Sequence, residues 1–219
     1  TGMVNQAVGL AQAIARELCG FQVVEKKIIP SRPWSMLPAS IWPPVVSGIA
    51  SPRLEPPWPD IIVGCGRHAV GPALWIKRRS AGKTRIVHAQ HPRMMASRYD
   101  AIVAQSHDGL KGPNLIEVLG SMHRLTEGTL SAAANSLPDN LAAIKRPIVA
   151  VLIGGTNSTY RLTDEIVRRL AEDLGQLVER NAYGLLVTVS RRTGVAAEKI
   201  LRDRLRGPSI FFWDGSGEN

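Results

Sequence analysis

Hydrophobic and polar positions along the chain follow two different periods. Val4, Val8, Ala11, Ile14, Ala15 and Leu18 recur at helical spacing, so residues 4–19 read as an amphipathic helix. Short apolar runs then alternate with a further helical pattern. "FQVVEKKII" (21–29), "DIIVGC" (60–65), "TRIVHAQ" (84–90), "DAIVAQ" (100–105) and "LIEVLG" (115–120) read as strands, and "HAVGPALWIKRR" (68–79) as a helix. β-rich runs separated by helices imply βαβ units and a parallel sheet. Residues 30–59 are rich in Pro and Trp, have no period and read as a long loop. "TEGTLSAAANSLPDNLAAIKRP" (126–147) reads as helix plus linker. A second series follows: strand "PIVAVLIGG", a helix over 163–180, strand "YGLLVTVS", helix "GVAAEKILRDRL" and strand "SIFFW". The 163–180 helix is expected to bury Ile166, Leu170, Leu174, Leu177 and Val178 on one face. The pattern predicts an α/β protein of two parallel-sheet domains, 1–140 and 147–219, with a linker at 141–146.

Composition changes this picture little. The 219 residues are 44% hydrophobic and 21% charged, as in a globular protein. No apolar run approaches the ~18 residues needed to cross a bilayer, and no signal peptide is visible, so a cytoplasmic location is expected. The chain opens inside a helical pattern without an initiator Met and closes just after an apparent strand, so both ends are expected to be cuts through a longer protein. Cys19 and Cys65 are too few for a disulfide framework or a Cys-based zinc site, and are expected to be buried reduced thiols, with their pairing left open.

Charge matters more. A formal net charge of +9 favours an anionic partner: nucleotide phosphate, nucleic acid or an acidic membrane surface. The alternative is a solvated basic face. Neither a zinc-finger spacing nor an RNP-like aromatic run is present, which disfavours nucleic acid.

Ligands of parallel α/β sheets bind where strands end at their carboxyl side, and three such loops carry candidate chemistry. Gly154, Gly155, Thr156 and Asn157 follow the first strand of the second series. Glycines let backbone amides approach a phosphate, and the next helix would add its positive end. No Gly-Lys-Ser/Thr follows, so this is not a Walker loop; the alternative is a tight turn. Ser190, Arg191 and Arg192 follow the next strand, and two guanidinium forks suit a diphosphate, although surface arginines are common. "GCGRHA" (64–69) matches G-x-G-x-x-A, but a dinucleotide reader needs an acid near the end of the next strand. Gln90 and His91 stand there, so bound nicotinamide or flavin is rejected. Close packing is the expected role, with Arg67 and His68 towards a cleft.

Five histidines show no H-E-x-x-H spacing, so no metal is expected. His107 and Asp108, just past a strand end, are weak candidates for a proton-transfer pair, or form a polar turn. Trp34, Met36, Leu37, Ile41 and Trp42 fall in the aperiodic stretch, near Arg32 and Arg53. They either rest in the interface of an anionic membrane or fold back onto the domain.

Taken together, "GMVNQAVGLAQAI", "PWPDIIVGCGRHAVGPALWIKRR", "SHDGLKGPNLIEVLGSMHR", "VAVLIGGTNSTY", "LLVTVSRRTG" and "FFWDGSGEN" resemble one family. It comprises the bacterial relatives of the plant mitochondrial-fission factor "elongated mitochondria", often labelled nucleoside-diphosphate-sugar epimerase-like. The chain departs from the family at His91, where an acid is usual. That family resembles GT-B glycosyltransferases, with two Rossmann-like domains. The resemblance implies that the first domain lacks its first strand here and that the second is incomplete. It implies a nucleotide-sugar substrate, no cofactor, and diphosphate contacts at Gly154, Gly155, Thr156 and Asn157, with Ser190, Arg191 and Arg192 alongside. Asn5, Gln6, Arg67 and His68 become cleft residues. By the same resemblance the acceptor would be polar or membrane-linked, and contact with the inner membrane would be peripheral. The competing implication is a non-catalytic adaptor that recruits a partner to a membrane.

Overall fold

The computed structural model describes residues 2–32, 36, 49–137, 139–181 and 183–213. The chain divides into two compact units, Thr1–Thr129 and Leu130–Asn219, each built on its own parallel sheet.

The first unit opens with α1 (Gly2–Leu18), followed by β1 (Ile29–Pro30) and β2 (Ile49–Ser51). Then come β3 (Ile61–Cys65), α2 (Arg67–Arg79), β4 (Arg85–Ala89), β5 (Ala101–Gln105) and β6 (Leu115–Val118). Strands β3-β4-β5-β6 lie side by side in chain order, all parallel. Val70, Ala73 and Leu74 of α2 close over Ile86, Ile102 and Ala104 to make the core, with the Tyr99 ring among them. Helix α1 packs on β3 and β4. Its Gly9 lies directly against the His123 carbonyl, so no side chain fits there. Asp100 ties the amino ends of the strands together. It accepts from Lys77 Nζ at 2.6 Å, from Arg85 Nη1 at 2.9 Å and from the Ile86 amide at 2.8 Å.

Three expectations fail in this unit. "FQVVEKKII" is not a strand: residues 21–28 pair with no strand among the described residues and lie largely in solvent. A β-branched run needs a neighbour to satisfy its amides. Only Ile29 and Pro30 find one, in a short antiparallel ladder with Ile49–Ser51. This ladder closes the base of the Pro/Trp stretch, which had read as wholly irregular. Of the apolar residues in that stretch, Met36 is exposed; Trp34, Leu37, Ile41 and Trp42 lie outside the described residues. The third failure is Cys19, which is exposed at the end of α1; only Cys65 is half-buried, and both thiols are free.

The second unit holds the end of α3 (Glu127–Asn135), then α4 (Asp139–Ala142), β7 (Ile148–Ile153), α5 (Asp164–Asn181), β8 (Gly184–Val189), α6 (Val195–Arg204) and β9 (Ile210–Trp213). Strands β7-β8-β9 are parallel and in chain order. One sheet face, with Ile153, Leu185 and Val187, packs under Val167 and Ala171 of α5 and Ala197 and Leu201 of α6. The buried stripe of α5 is therefore centred on Val167 and Ala171. Ile166, expected inside, is 49% exposed. Leu170, Leu174, Leu177 and Val178 flank the stripe, half-buried.

Candidate functional site

In the second unit the loops after β7 and β8 are fastened to each other. The Thr193 hydroxyl, buried, donates to the carbonyls of Gly154 at 2.7 Å and Ile153 at 3.2 Å as alternatives, and accepts from the Ser190 amide at 2.9 Å. The Ser190 amide also reaches the Ile153 carbonyl at 3.1 Å. Gly155 lies so close to the Arg192 carbonyl that a Cβ would collide with it. Gly154, by contrast, has nothing within 4 Å of where a Cβ would stand. The two glycines thus differ: one is required by a backbone crossing, the other leaves open space at the strand end.

The rest of the first loop is held by its own side chains. Asn157 Oδ1 accepts from the amides of Thr159 at 2.8 Å and Tyr160 at 2.7 Å, while the Asn157 amide donates to the Tyr160 carbonyl at 2.8 Å. Thr156 Oγ1 accepts from the Leu162 amide at 3.1 Å. These bonds leave the Asn157 amide nitrogen of the side chain and the Thr156 hydroxyl proton as donors.

Helix ends decide where an anion is favoured. The expectation placed the positive end of the helix after Gly-Gly at the site. That helix, α5, starts only at Asp164; Thr163 Oγ1 accepts from the Ile166 amide at 3.3 Å, and Asp164 and Glu165 fill its first turn. Two carboxylates there repel a phosphate. Helix α6 differs. Its N-cap is Gly194, with φ 84° and no side-chain cap. The first three helical residues are Val195, Ala196 and Ala197, and Glu198 is turned to Arg202 at 2.8 Å. Arg191 and Arg192 precede this end, exposed and with no acid partner among the described residues. The structure therefore brings Gly154, Gly155, Ser190 and Arg192 together, and puts the open helix end at α6.

Thr193, which stands within "VSRRTG", was not singled out by the sequence reading. A buried threonine beside a strand-to-helix glycine looks like any loop residue until the partner strand's carbonyls are known.

The remaining candidates lie in the first unit. Gly66, at φ 79°, has the Met3 sulfur 2.7 Å from an ideal Cβ position, and a Cβ on Gly64 would meet Ala69 Cβ at 3.0 Å. "GCGRHA" is thus a close-packed turn between strand and helix. Arg67 Nε donates to His68 Nε2 at 3.0 Å. Burial, then the Arg67 charge, holds the His68 pKa below its ordinary value. Gln6 of α1 is half-buried, with its Oε1 unpartnered; Asn5 beside it is exposed. His107 and Asp108 sit in a 3-10 turn, 3.9 Å apart, beyond hydrogen-bond reach. Cys65 contacts Gln90 Oε1 at 3.8 Å, and burial pushes its thiol up to about 11, which makes it a poor nucleophile.

Comparison with known proteins fixes the family. The family model "Mitochondrial fission ELM1" matches residues 1–219. The chain belongs to the mitochondrial fission ELM1 family. Within reach of this ELM1-family chain, the Mitochondrial fission protein ELM1 of Arabidopsis thaliana is 24% identical over 208 residues, covering 83% of the chain and 48% of the plant protein. The Uncharacterized protein RP120 of Rickettsia prowazekii (strain Madrid E) is 20% identical over 186 residues, covering 70% and 52%. The chain spans about half the length of the curated relatives it matches. Among solved structures, the UDP-GlcNAc 2-epimerase from Methanocaldococcus jannaschii resembles it with a TM-score of 0.39 and 14% identity, over 73% of this chain and 52% of the epimerase.

Proposed function

We propose that the protein binds a nucleotide-sugar by its diphosphate, on the loops that follow β7 and β8, and transfers the sugar to a polar or membrane-linked acceptor. One observation carries this reading. The Thr193 bonds hold Arg191, Arg192 and the uncapped start of α6 beside the open space at Gly154. A helix N-terminus, two guanidinium groups and unhindered backbone are what a diphosphate needs. Titration calorimetry with UDP tests it. Replacing both arginines, Arg191→Ala with Arg192→Ala, should weaken UDP by about 1.5–3 kcal/mol for each charged hydrogen bond lost. Unchanged affinity would leave the two loops a structural junction only.

A second reading is a non-catalytic adaptor at a membrane, in keeping with the fission role in the plant relative's name. Arg78, Arg79 and Lys83 at the end of α2 favour it. They are exposed without an acid partner among the described residues, and Arg79 lies over the Trp75 ring at 5.6 Å. Cosedimentation with anionic vesicles separates the readings. Changing all three to Gln should cost about 1 kcal/mol of binding per residue and leave UDP affinity alone. Vesicle binding unaffected by the triple change would remove this surface from consideration.

A further inference from the structure

A hollow of about 240 Å³ opens beside Gly154 and Gly155, walled by Leu152, Tyr160, Leu162 and Leu170. We infer that this hollow receives the base ring of the nucleotide, with Tyr160 as its stacking wall; the inference rests on the diphosphate reading of the adjoining loops. The treatment of Tyr160 is the first reason. Its amide and carbonyl are both bonded to Asn157, so its backbone is pinned. The residue is 73% exposed, and its side chain makes no hydrogen bond or ring contact among the described residues. An aromatic ring carried on a held backbone and left in water is poised for a partner with an apolar face.

Size and polarity narrow the occupant. The hollow is smaller than the roughly 300–1,000 Å³ of pockets that enclose a whole drug-sized ligand, so it takes one ring. A sugar carries hydroxyls around its rim and would leave them unpaired against Leu152, Leu162 and Leu170. A base has apolar faces and puts its polar atoms at the edge. There Arg161 lines the hollow, exposed and without an acid partner among the described residues, and supplies donors. The base then lies at Tyr160 and the diphosphate next to it, at Gly154 and the turn that carries Arg191 and Arg192.

The probes are UDP, ADP and inorganic pyrophosphate, titrated into the wild type, Tyr160→Ala, Tyr160→Phe and the double arginine variant. Stacking on an exposed ring is lost with the ring, so Tyr160→Ala should weaken whichever nucleotide binds tighter by about tenfold or more. It should leave pyrophosphate affinity and the melting temperature unchanged, and Tyr160→Phe should match the wild type. The arginine variant should weaken nucleotide and pyrophosphate together. If Tyr160→Ala leaves both nucleotides unaffected while the arginine variant weakens them, the base lies elsewhere and the diphosphate reading survives. If nucleotides bind the wild type no tighter than pyrophosphate, the hollow holds no base. If none of the three probes binds the wild type, the diphosphate reading falls and this inference falls with it.

Discussion

Gly154 and Gly155 look alike in sequence and are separated only by their neighbours. A methyl group on Gly155 meets the Arg192 carbonyl, a backbone atom held by the Thr193 bonds, so the two loops must part. Gly155→Ala should destabilise the fold by about 1–3 kcal/mol, the range for overpacking. Gly154→Ala meets nothing and should be neutral, or stabilise by up to about 1 kcal/mol through the unfolded chain. Paired melting curves check both, and a shared large loss would remove the distinction. The sequence could place a Gly-rich loop here but not say which glycine is crowded, because the crowding atom lies 37 positions further along the chain. Two further residues set the response to acid. His88 is buried, its Nδ1 is bonded to the Gln90 carbonyl at 3.1 Å and its Nε2 is unpartnered. Burial holds its pKa below the ordinary 6.5. The unfolded chain therefore binds this proton more readily, so stability is full above pH 6.5 and is lost as pH falls through the lowered native value. For Asp100, burial pushes the carboxyl up, but bonds from Lys77, the Ile86 amide and Arg85 prevail and bring it to about 2 from an ordinary 3.8. Its contribution is lost only in that lower window. Denaturation midpoints measured from pH 7 to 2 should fall in two stages. His88→Gln should flatten the upper stage, leaving the same-signed share of His68; an unchanged slope would mean that His88 is not the group concerned.

At the scale of elements, short apolar runs located the strands of the two parallel sheets, because buried parallel strands read as short Val/Ile/Leu runs wherever they sit, but they missed Ile49–Ser51. "FQVVEKKII" satisfied the same pattern and failed, since a run of that kind states a preference and not a partner. Helix ends were harder to read. The Gly-Gly loop pointed to the helix after it, yet Asp164, Glu165 and the Thr163 cap close that end, while Gly194 leaves α6 open. Asp164 and Glu165 were visible in the sequence; their weight came only with the helix boundary. Thr193 joins the two elements and gives the test at this scale. Thr193→Val keeps the shape and removes the hydroxyl. The Gly154 carbonyl and Ser190 amide then lose a buried partner, at about 1–3 kcal/mol. UDP binding should weaken with it, since Arg191 and Arg192 are carried on the same turn. A stability loss without any change in UDP affinity would separate the junction from the site.

Over the whole molecule, the +9 charge is compatible with any anionic partner and gains meaning only from where cations are left without acids. Among the described residues the turn before α6 and the end of α2 are two such places. They lie in different units and belong to different readings of an ELM1-family protein. No described helix is long and apolar enough to cross a membrane. On the proposed function, a nucleotide diphosphate would sit on the joined loops of the second unit. Amide hydrogen exchange, with and without a saturating UDP-sugar, tests it most directly. Slower exchange is expected over residues 154–162 and 190–198, with the amides at the start of α5 and those around Arg78, Arg79 and Lys83 unchanged. Exchange unaltered across both loops at saturation, or protection confined to the first unit, would contradict it.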